Sequence, residues 1–445
     1  MSTELMSELD FLYYHLGKRD TLNLSTGATC FFTATPDVDH LKKTLEAASW
    51  QIPRLRQRAS NGVLRAWGAK WVDDEKFDID NHFRHVHLDE PASHGELLRL
   101  SDEFQSRPFK HSLPLWEIWV VTNRDTNSPA AVFVRLHHCV ADGVGIRNIF
   151  MGIFGDRADA PEASEANTST LTYGRRTLAG LAGAARDIGS FAAYLINTPE
   201  RRQLRDRLTR YSWTPNMSRL QQNARTRQSM HYRVPQASWS RQARVNGGNA
   251  NALFLAFIAR VLYEIASPEM RRGFEVVMPI TLRTTADAVM GNLTRSAILT
   301  LDGDQPLKTL TLGDIRLLVS EGREKAVTRD QPAEERLFRF LPIELQARLR
   351  MRSWVRTDAV STKIPIPKKI VVAGARIDMI FMQTSAIGPP LTFALSTYDG
   401  FCNITVNIDV GVMKDVNRLQ SVMLSQLREM FGDDVHHLSI AGSGR

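Results

Sequence analysis

The sequence predicts a mixed α/β protein in two domains joined by a crossover segment. Three observations carry that expectation. A chain of 445 residues is longer than one hydrophobic core ordinarily organises. Helical and strand-like periodicities alternate through the first third of the chain and resume in its second half. Between them the chain turns polar and then strongly basic. The expected division is a first domain over 1–160, a crossover linker with a basic helix over 161–230, and a second domain over 231–445.

In the first domain, Val38–Ala48 repeats apolar residues at helical spacing, and strand-like residues follow over Leu64–Val72. A helix beginning near Gly95 continues through Ser101–Ser106. Trp116–Thr122 and Ala130–His137 read as two strands, joined by a polar loop with Asp125, Asn127 and Pro129. Ile146, Ile149, Phe150, Ile153 and Phe154 then share one helical face.

Asp156–Thr170 has the small, polar composition of an exposed linker. Leu178, Leu181, Ala185, Ile188, Ala192 and Leu195 recur at helical spacing, in a helix too short and Gly-rich to span a bilayer. Arg201, Arg202, Arg205, Arg207 and Arg210 follow, with Trp213 close behind. Such a run is either a solvated crossover helix or a surface for lipid headgroups or coenzyme phosphates.

In the second domain, Asn251–Ile265 is an apolar helical pattern. Phe274–Ile280, Leu293–Leu301, Lys369–Val372, Leu391–Tyr398 and Cys402–Asp409 read as strands, with a tight hairpin turn at Tyr398-Asp399-Gly400-Phe401. A final helix covers Val416–Met430. Within Leu337–Arg356, the residues Leu337, Phe338, Leu341, Leu345 and Leu349 share a helical face, with Arg348, Arg350, Arg352 and Trp354 nearby. That stripe either packs on the core or lies in a lipid headgroup plane.

Composition narrows the partners. Hydrophobic residues at 43% and charged residues at 23% are the balance of a soluble globular protein, and no apolar run reaches membrane-span length. Met1-Ser2-Thr3-Glu4 opens without a basic segment and apolar core, so no secretory leader is expected. Cys30, Cys139 and Cys402 are too scattered for a disulfide framework or a zinc knuckle. A reducing, cytoplasmic setting fits, with peripheral contact to membrane or lipid inclusions as a further expectation. The net charge of +8 suits anionic partners. No nucleic-acid-binding signature accompanies the basic residues, so nucleic acid is not expected.

The chemistry concentrates in His137-His138-Cys139-Val140-Ala141-Asp142-Gly143, where a strand gives way to a turn and a helix. A neutral imidazole held there can accept a proton from a hydroxyl near pH 7. Adjacent strand residues point to opposite faces, which works against both histidines ligating one metal, and no second cluster at ligand spacing supports a zinc site. A histidine at a strand end is either a base or a hydrogen-bonded structural residue; within the pair His138 is the expected base, with His137 pointing the other way as a supporting residue. Asp142 is expected to orient the loop, and Gly143 to allow a backbone conformation that a side chain would resist. Cys139 is either a nucleophile or a packed thiol, and its place beside the histidines disfavours a His–Cys dyad. Trp116 and Glu117 read as scaffold.

Several segments together resemble the bacterial wax ester synthase/diacylglycerol acyltransferase family. His137–Gly143 matches its His-His-x-x-x-Asp-Gly motif, and Pro114-Leu115-Trp116-Glu117 its Pro-Leu-Trp-Glu motif. Ser7-Glu8-Leu9-Asp10, Phe77-Asp78-Ile79-Asp80 with Arg84-His85-Val86, Pro279-Ile280-Thr281-Leu282-Arg283, Gly291-Asn292 and the late hairpin resemble further family segments. Two stretches depart from the pattern: Asn251-Ala252 lacks an acid, and Ser361–Pro367 replaces Ser-Asn-Val-Pro-Gly-Pro.

The resemblance implies two mixed-sheet chloramphenicol-acetyltransferase-like domains with the active site at their interface. It implies an O-acyltransferase moving a fatty acyl group from acyl-CoA, a co-substrate and not a bound cofactor, to a long-chain alcohol or diacylglycerol. It also suggests Asn292 as an oxyanion donor, against the alternative of a turn residue after Gly291. A relative with another acceptor or a carrier-bound acyl donor, and a non-catalytic lipid-binding member, are the competing expectations.

Overall fold

The structure is a computed structural model. It describes residues 3–18, 22–61, 69–125, 128–155, 227–266, 274–283, 290–301, 311–328, 342–354, 357–367, 369–385, 389–409 and 415–438. The expected linker composition, the apolar helix near Leu178–Leu195, the Arg201–Arg210 run with Trp213, and Leu337, Phe338 and Leu341 lie outside the described residues.

A short strand, β1 (Thr3–Leu5), precedes α1 (Glu8–Gly17), which Ser7 caps by accepting from the Asp10 amide. β2 (Ser25–Phe32), α2 (Val38–Gln51), β3 (Gln57–Asn61), β4 (Ala69–Asp73) and β5 (Phe83–Leu88) follow. α3 (His94–Ser106) starts in a capping box made by Ser93 and Glu96. β6 (Trp116–Asn123) and β7 (Ala131–His137) are the expected antiparallel pair, and β7 leads to α4 (Gly143–Phe154). β7 is buried along its whole length, the pattern of a strand covered on both faces. Its one charge, Arg135, is paired with Glu117 at 2.9 Å and donates to the carbonyls of Phe104 and Pro108 at 3.1 and 3.3 Å. Those partners are what allow a guanidinium to sit inside a sheet.

The described chain resumes with β8 (Arg227–Pro235), α5 (Gln236–Val245), α6 (Ala250–Ile265), β9 (Phe274–Thr281) and β10 (Thr294–Leu301). α7 (Leu312–Thr328), α8 (Ile343–Trp354), β11 (Ala359–Pro365), β12 (Val371–Val372) and β13 (Ala375–Gln383) come next. β14 (Leu391–Tyr398), β15 (Phe401–Asp409), α9 (Val416–Phe431) and β16 (His436–His437) complete it.

Among the described residues, one sheet runs β12-β13-β2-β7-β6-β5 and a second runs β10-β9-β11-β14-β15-β8-β16, with β1-β4-β3 as a small third. Both large sheets are mixed: β5 is parallel to β6 in the first, and β11 is parallel to β9 and β14 in the second. Each has its own core. Val120, Val132, Leu136, Ile146 and Phe150 pack in the first, and Phe254, Phe257, Ile258, Phe393 and Val406 in the second.

The chain division differs from the expected one. β8 starts at Arg227, so the second sheet begins inside the expected linker. β12 and β13 belong to the second half of the sequence, yet β13 pairs antiparallel with β2 and completes the first sheet. Below this crossing the halves are tied by polar contacts: Asp102 of α3 accepts from the Ser229 amide at 2.9 Å, and Gln383 donates to Thr29 Oγ1 at 3.3 Å. Smaller differences follow the same lines. Of Leu64–Val72 the described strand is Ala69–Asp73, and Lys369–Val372 shortens to two paired residues. Ser361–Pro367 runs along β11 and just past its end. Asn251 and Ala252 open α6 under the Asn249 cap, with Ala252 buried in the second core.

The α8 face also differs. Ile343, Gln346 and Ala347 are the buried positions, whereas Leu345 is 41% exposed. Among the described side chains the buried positions therefore exclude Leu345, and α8 lies against α1. Arg350 is half-buried and close enough to Tyr13 to act on its phenol electrostatically. The side chains of Arg348, Leu349, Arg352 and Trp354 lie outside the described residues.

Candidate active site

β7 ends at His137 and α4 begins at Gly143, so the expected site residues lie on the loop between them and at its two ends. It docks on the turn that precedes β10. The Gly291 amide donates to the Val140 carbonyl at 3.0 Å, the Asp142 amide donates to the Gly291 carbonyl at 3.3 Å, and Ala141 bridges Gly291 in parallel. Gly291 has φ +81°, a conformation that side chains disfavour. The site thus forms where the first sheet's loop meets the second sheet's turn.

Asp142 anchors this contact. One carboxylate oxygen caps α4 by accepting from the Gly145 amide at 2.8 Å, and the other accepts from the Leu293 amide at 2.8 Å. The Arg283 guanidinium reaches the same carboxylate at 3.1 Å and also donates to the Gly291 carbonyl at 2.5 Å. Both side chains are nearly inaccessible, at 7% for Arg283 and 2% for Asp142. Asp142 is therefore held by a cation and two backbone donors, and it fixes loop geometry without facing solvent.

His138 is held at three points. Its amide donates to the Leu24 carbonyl at 2.9 Å. Its carbonyl accepts from the Asn292 side-chain amide at 2.7 Å. Its ring lies against Tyr13 of α1, with centroids 4.5 Å apart. Burial lowers the His138 pKa below the ordinary histidine value, opposed by its own backbone carbonyl, Asp142 and Asn292. The imidazole is accordingly neutral near pH 7. Burial raises the Tyr13 phenol above its usual range, which keeps it protonated.

Asn292 differs from the expected oxyanion donor in its bonding. Its side-chain amide donates to Asp10 Oδ1 at 2.6 Å as well as to the His138 carbonyl, and its backbone amide also donates to Asp10 Oδ1, at 3.1 Å. Both side-chain hydrogens are committed to the site's frame. Donation to an oxyanion requires releasing one of them.

His137 points away from His138's environment, among Phe109 and His111 at ring distances of 5.5 and 5.7 Å. Its Nδ1 accepts from the Cys139 amide at 3.2 Å, and burial holds its pKa well below the ordinary value. Nε2 abuts Gly17: a Cβ built on that glycine would lie 1.9 Å away. Cys139 is fully buried, which pushes its thiol well above the usual range. A protonated thiol in the core is no nucleophile.

Gly143 departs from expectation in its reason. Its φ is not positive; it occupies the first position of α4. What it supplies is space, because a Cβ there would lie 3.0 Å from Ile364 of β11. Trp116 and Glu117 stand in the scaffold: Trp116 donates to the Leu55 carbonyl at 2.7 Å and stacks on His82, and Glu117 pairs with Arg135.

Asp10, Tyr13 and Arg283 received no site role from the sequence. Asp10 and Arg283 stand in segments that carry the family resemblance, which is the signal that marks them. Their pairing partners lie far away in the chain. Among the described residues, no group of three or more His, Cys, Asp or Glu is disposed to hold a metal ion, and no helix is long and apolar enough to cross a membrane.

Comparison with known proteins follows the same lines. The profile of the wax ester synthase/diacylglycerol acyltransferase catalytic domain matches residues 6–207. A Mycobacterium tuberculosis protein named as a candidate diacylglycerol O-acyltransferase is 24% identical over 406 residues, covering 84% of this chain and 81% of its own. Among solved structures, the wax ester synthase/diacylglycerol acyltransferase from Marinobacter aquaeolei VT8 superposes with a TM-score of 0.62 at 16% identity, over 96% of this chain and 98% of that one. The trichothecene 15-O-acetyltransferase of Fusarium sporotrichioides gives a TM-score of 0.63 at 10% identity, over 96% of each chain. The structural likenesses establish the mixed α/β fold with two mixed sheets.

Proposed function

We propose, from the match of residues 6–207 to the wax ester synthase/diacylglycerol acyltransferase catalytic-domain profile, that the chain transfers a fatty acyl group from acyl-CoA to the hydroxyl of a long-chain alcohol or diacylglycerol. The observation that carries this reading is the placement of His138, fixed where the two sheets meet by Leu24, Asn292 and Tyr13, with burial lowering its pKa.

In this reaction His138 takes the proton of the acceptor hydroxyl as its oxygen attacks the thioester carbonyl. The C–O bond forms and the carbonyl oxygen becomes an oxyanion. Collapse of the tetrahedral intermediate breaks the C–S bond, and the departing thiolate recovers the proton from the His138 imidazolium. A thioester is already activated, so no acyl-enzyme is needed, and the buried, protonated Cys139 is consistent with that. Asp142 and Arg283 keep the loop in register. Acyl-CoA acts as a substrate, with no resident cofactor in the scheme. Peripheral contact with a lipid surface would bring the acceptor to the site.

Product analysis by mass after incubation with palmitoyl-CoA and a panel of long-chain alcohols and diacylglycerols tests the reading. Wax ester or triacylglycerol formation supports it. Acylation of a different acceptor class moves the function to a related transferase, and lipid binding without any product points to a non-catalytic member.

A further inference from the structure

We infer that Asp10 is a positioning residue for His138, acting through Asn292. The inference rests on His138 being the proton acceptor proposed above. Asp10 sits on α1 and is 5% exposed. Its Oδ1 accepts from both the backbone and the side-chain amide of Asn292, which fixes that side chain's rotation. The remaining side-chain hydrogen of Asn292 is thereby aimed at the His138 carbonyl. With the His138 amide bonded to Leu24, both main-chain groups of the base are held.

Three separate segments converge on this contact: α1, the loop after β7, and the turn before β10. Tyr13, one helical turn beyond Asp10, covers the His138 ring, so a single face of α1 meets both the backbone route and the ring. The carboxylate is a costly choice for structure alone. Burial drives the Asp10 pKa up to about 6, and its bonds to Asn292 and Ser7 and the charge of Arg54 offset that only in part. An apolar residue would pack there without the desolvation penalty. A residue that works against stability beside the base is accounted for by what it positions.

The test compares Asp10→Ala, Asp10→Asn, Asn292→Ala and the Asp10→Ala/Asn292→Ala double variant of the full chain. Two readouts are taken. The first is kcat and KM for acyl transfer. The second needs no substrate: the rate of His138 carbethoxylation by diethyl pyrocarbonate, read by peptide mass, with the exposed His436 as internal standard. Displacing a catalytic group by about 1 Å costs on the order of 10²-fold, so Asp10→Ala is expected to lower kcat by about that factor with KM little changed. The His138 carbethoxylation rate should shift while that of His436 does not. Asp10→Asn keeps an acceptor oxygen for both Asn292 bonds and should restore most of kcat and the wild-type His138 rate. The double variant should be no worse than the more impaired single one, because both remove one link. If Asp10→Ala does not fold, Asp10→Leu offers similar volume without an acceptor.

Wild-type kcat and His138 reactivity in Asp10→Ala would overturn the inference. So would Asp10→Asn as impaired as Asp10→Ala, or losses that multiply in the double variant. Absence of any transfer by the wild type would overturn the proposed function instead, and the carbethoxylation comparison would still decide the role of Asp10.

Discussion

Arg283→Ala tests how the two halves are joined at the site. The substitution removes a guanidinium that contacts Asp142 at 3.1 and 3.4 Å and the Gly291 carbonyl at 2.5 Å. Breaking one side of a buried ion pair typically costs about 3–5 kcal/mol, because a charge is left without its partner. Here Asp142 keeps the Gly145 and Leu293 amides, both at 2.8 Å, which moves the expected loss to the lower end, about 3 kcal/mol. Urea unfolding of wild type, Arg283→Ala, Asp142→Asn and the double variant gives the coupling directly, expected at about 1–3 kcal/mol. Activity should fall as well, by about 10²-fold, since the loop bearing His138 loses its tie to the second sheet. A stability loss under about 1 kcal/mol with no coupling would mean that the pair is not what holds the loop, and the reasoning would fail.

Other outcomes follow from the same geometry. His138→Ala should lower kcat by about 10²–10⁴-fold while circular dichroism and the unfolding midpoint stay near wild type. Cys139→Ala should retain most activity, and an acyl group found on Cys139 by mass would contradict direct transfer. Gly17→Ala should destabilise by about 1–3 kcal/mol, because its methyl would meet the buried His137 ring; unchanged unfolding would refute that packing. Asp10 has a folded pKa of about 6 against 3.8 for the ordinary group, so its contribution to stability is full below about 3.8 and is lost as pH rises through about 6. Asp10→Asn should remove up to about 3 kcal/mol of that decline, and parallel stability–pH curves for the two proteins would argue against the raised pKa.

Local features of the fold were legible in the sequence. The β6–β7 pair, the helix after the histidine loop and the hairpin at Tyr398–Phe401 all follow from short-range periodicity and turn chemistry. The histidine loop stood out because paired histidines, an acid and a glycine fall at a strand end. Contacts between distant segments were not legible. Nothing near Ala375–Gln383 says that this strand joins the first sheet beside β2, because register between remote strands leaves no local trace. The Arg283–Asp142 pair and the Asp10–Asn292 contact are hidden for the same reason. On α8 the helical period was visible but its phase was not: among the described side chains Ile343 and Ala347 are buried while Leu345 is exposed, because contact with α1 decides which side is covered. At Gly143 the residue was legible and its reason was not, since the approach of Ile364 comes from β11.

The most direct measurement of the central claim is a single-turnover reaction of excess enzyme with labelled acyl-CoA and a long-chain alcohol, run on wild type and on folded His138→Ala. Wild type should release coenzyme A thiol and form ester in one phase with equal yields, with no protein-bound label, and the variant should be slower by at least about 10²-fold. Equal rates in the two proteins, or thiol release that precedes ester with label accumulating on the chain, would contradict direct attack assisted by His138.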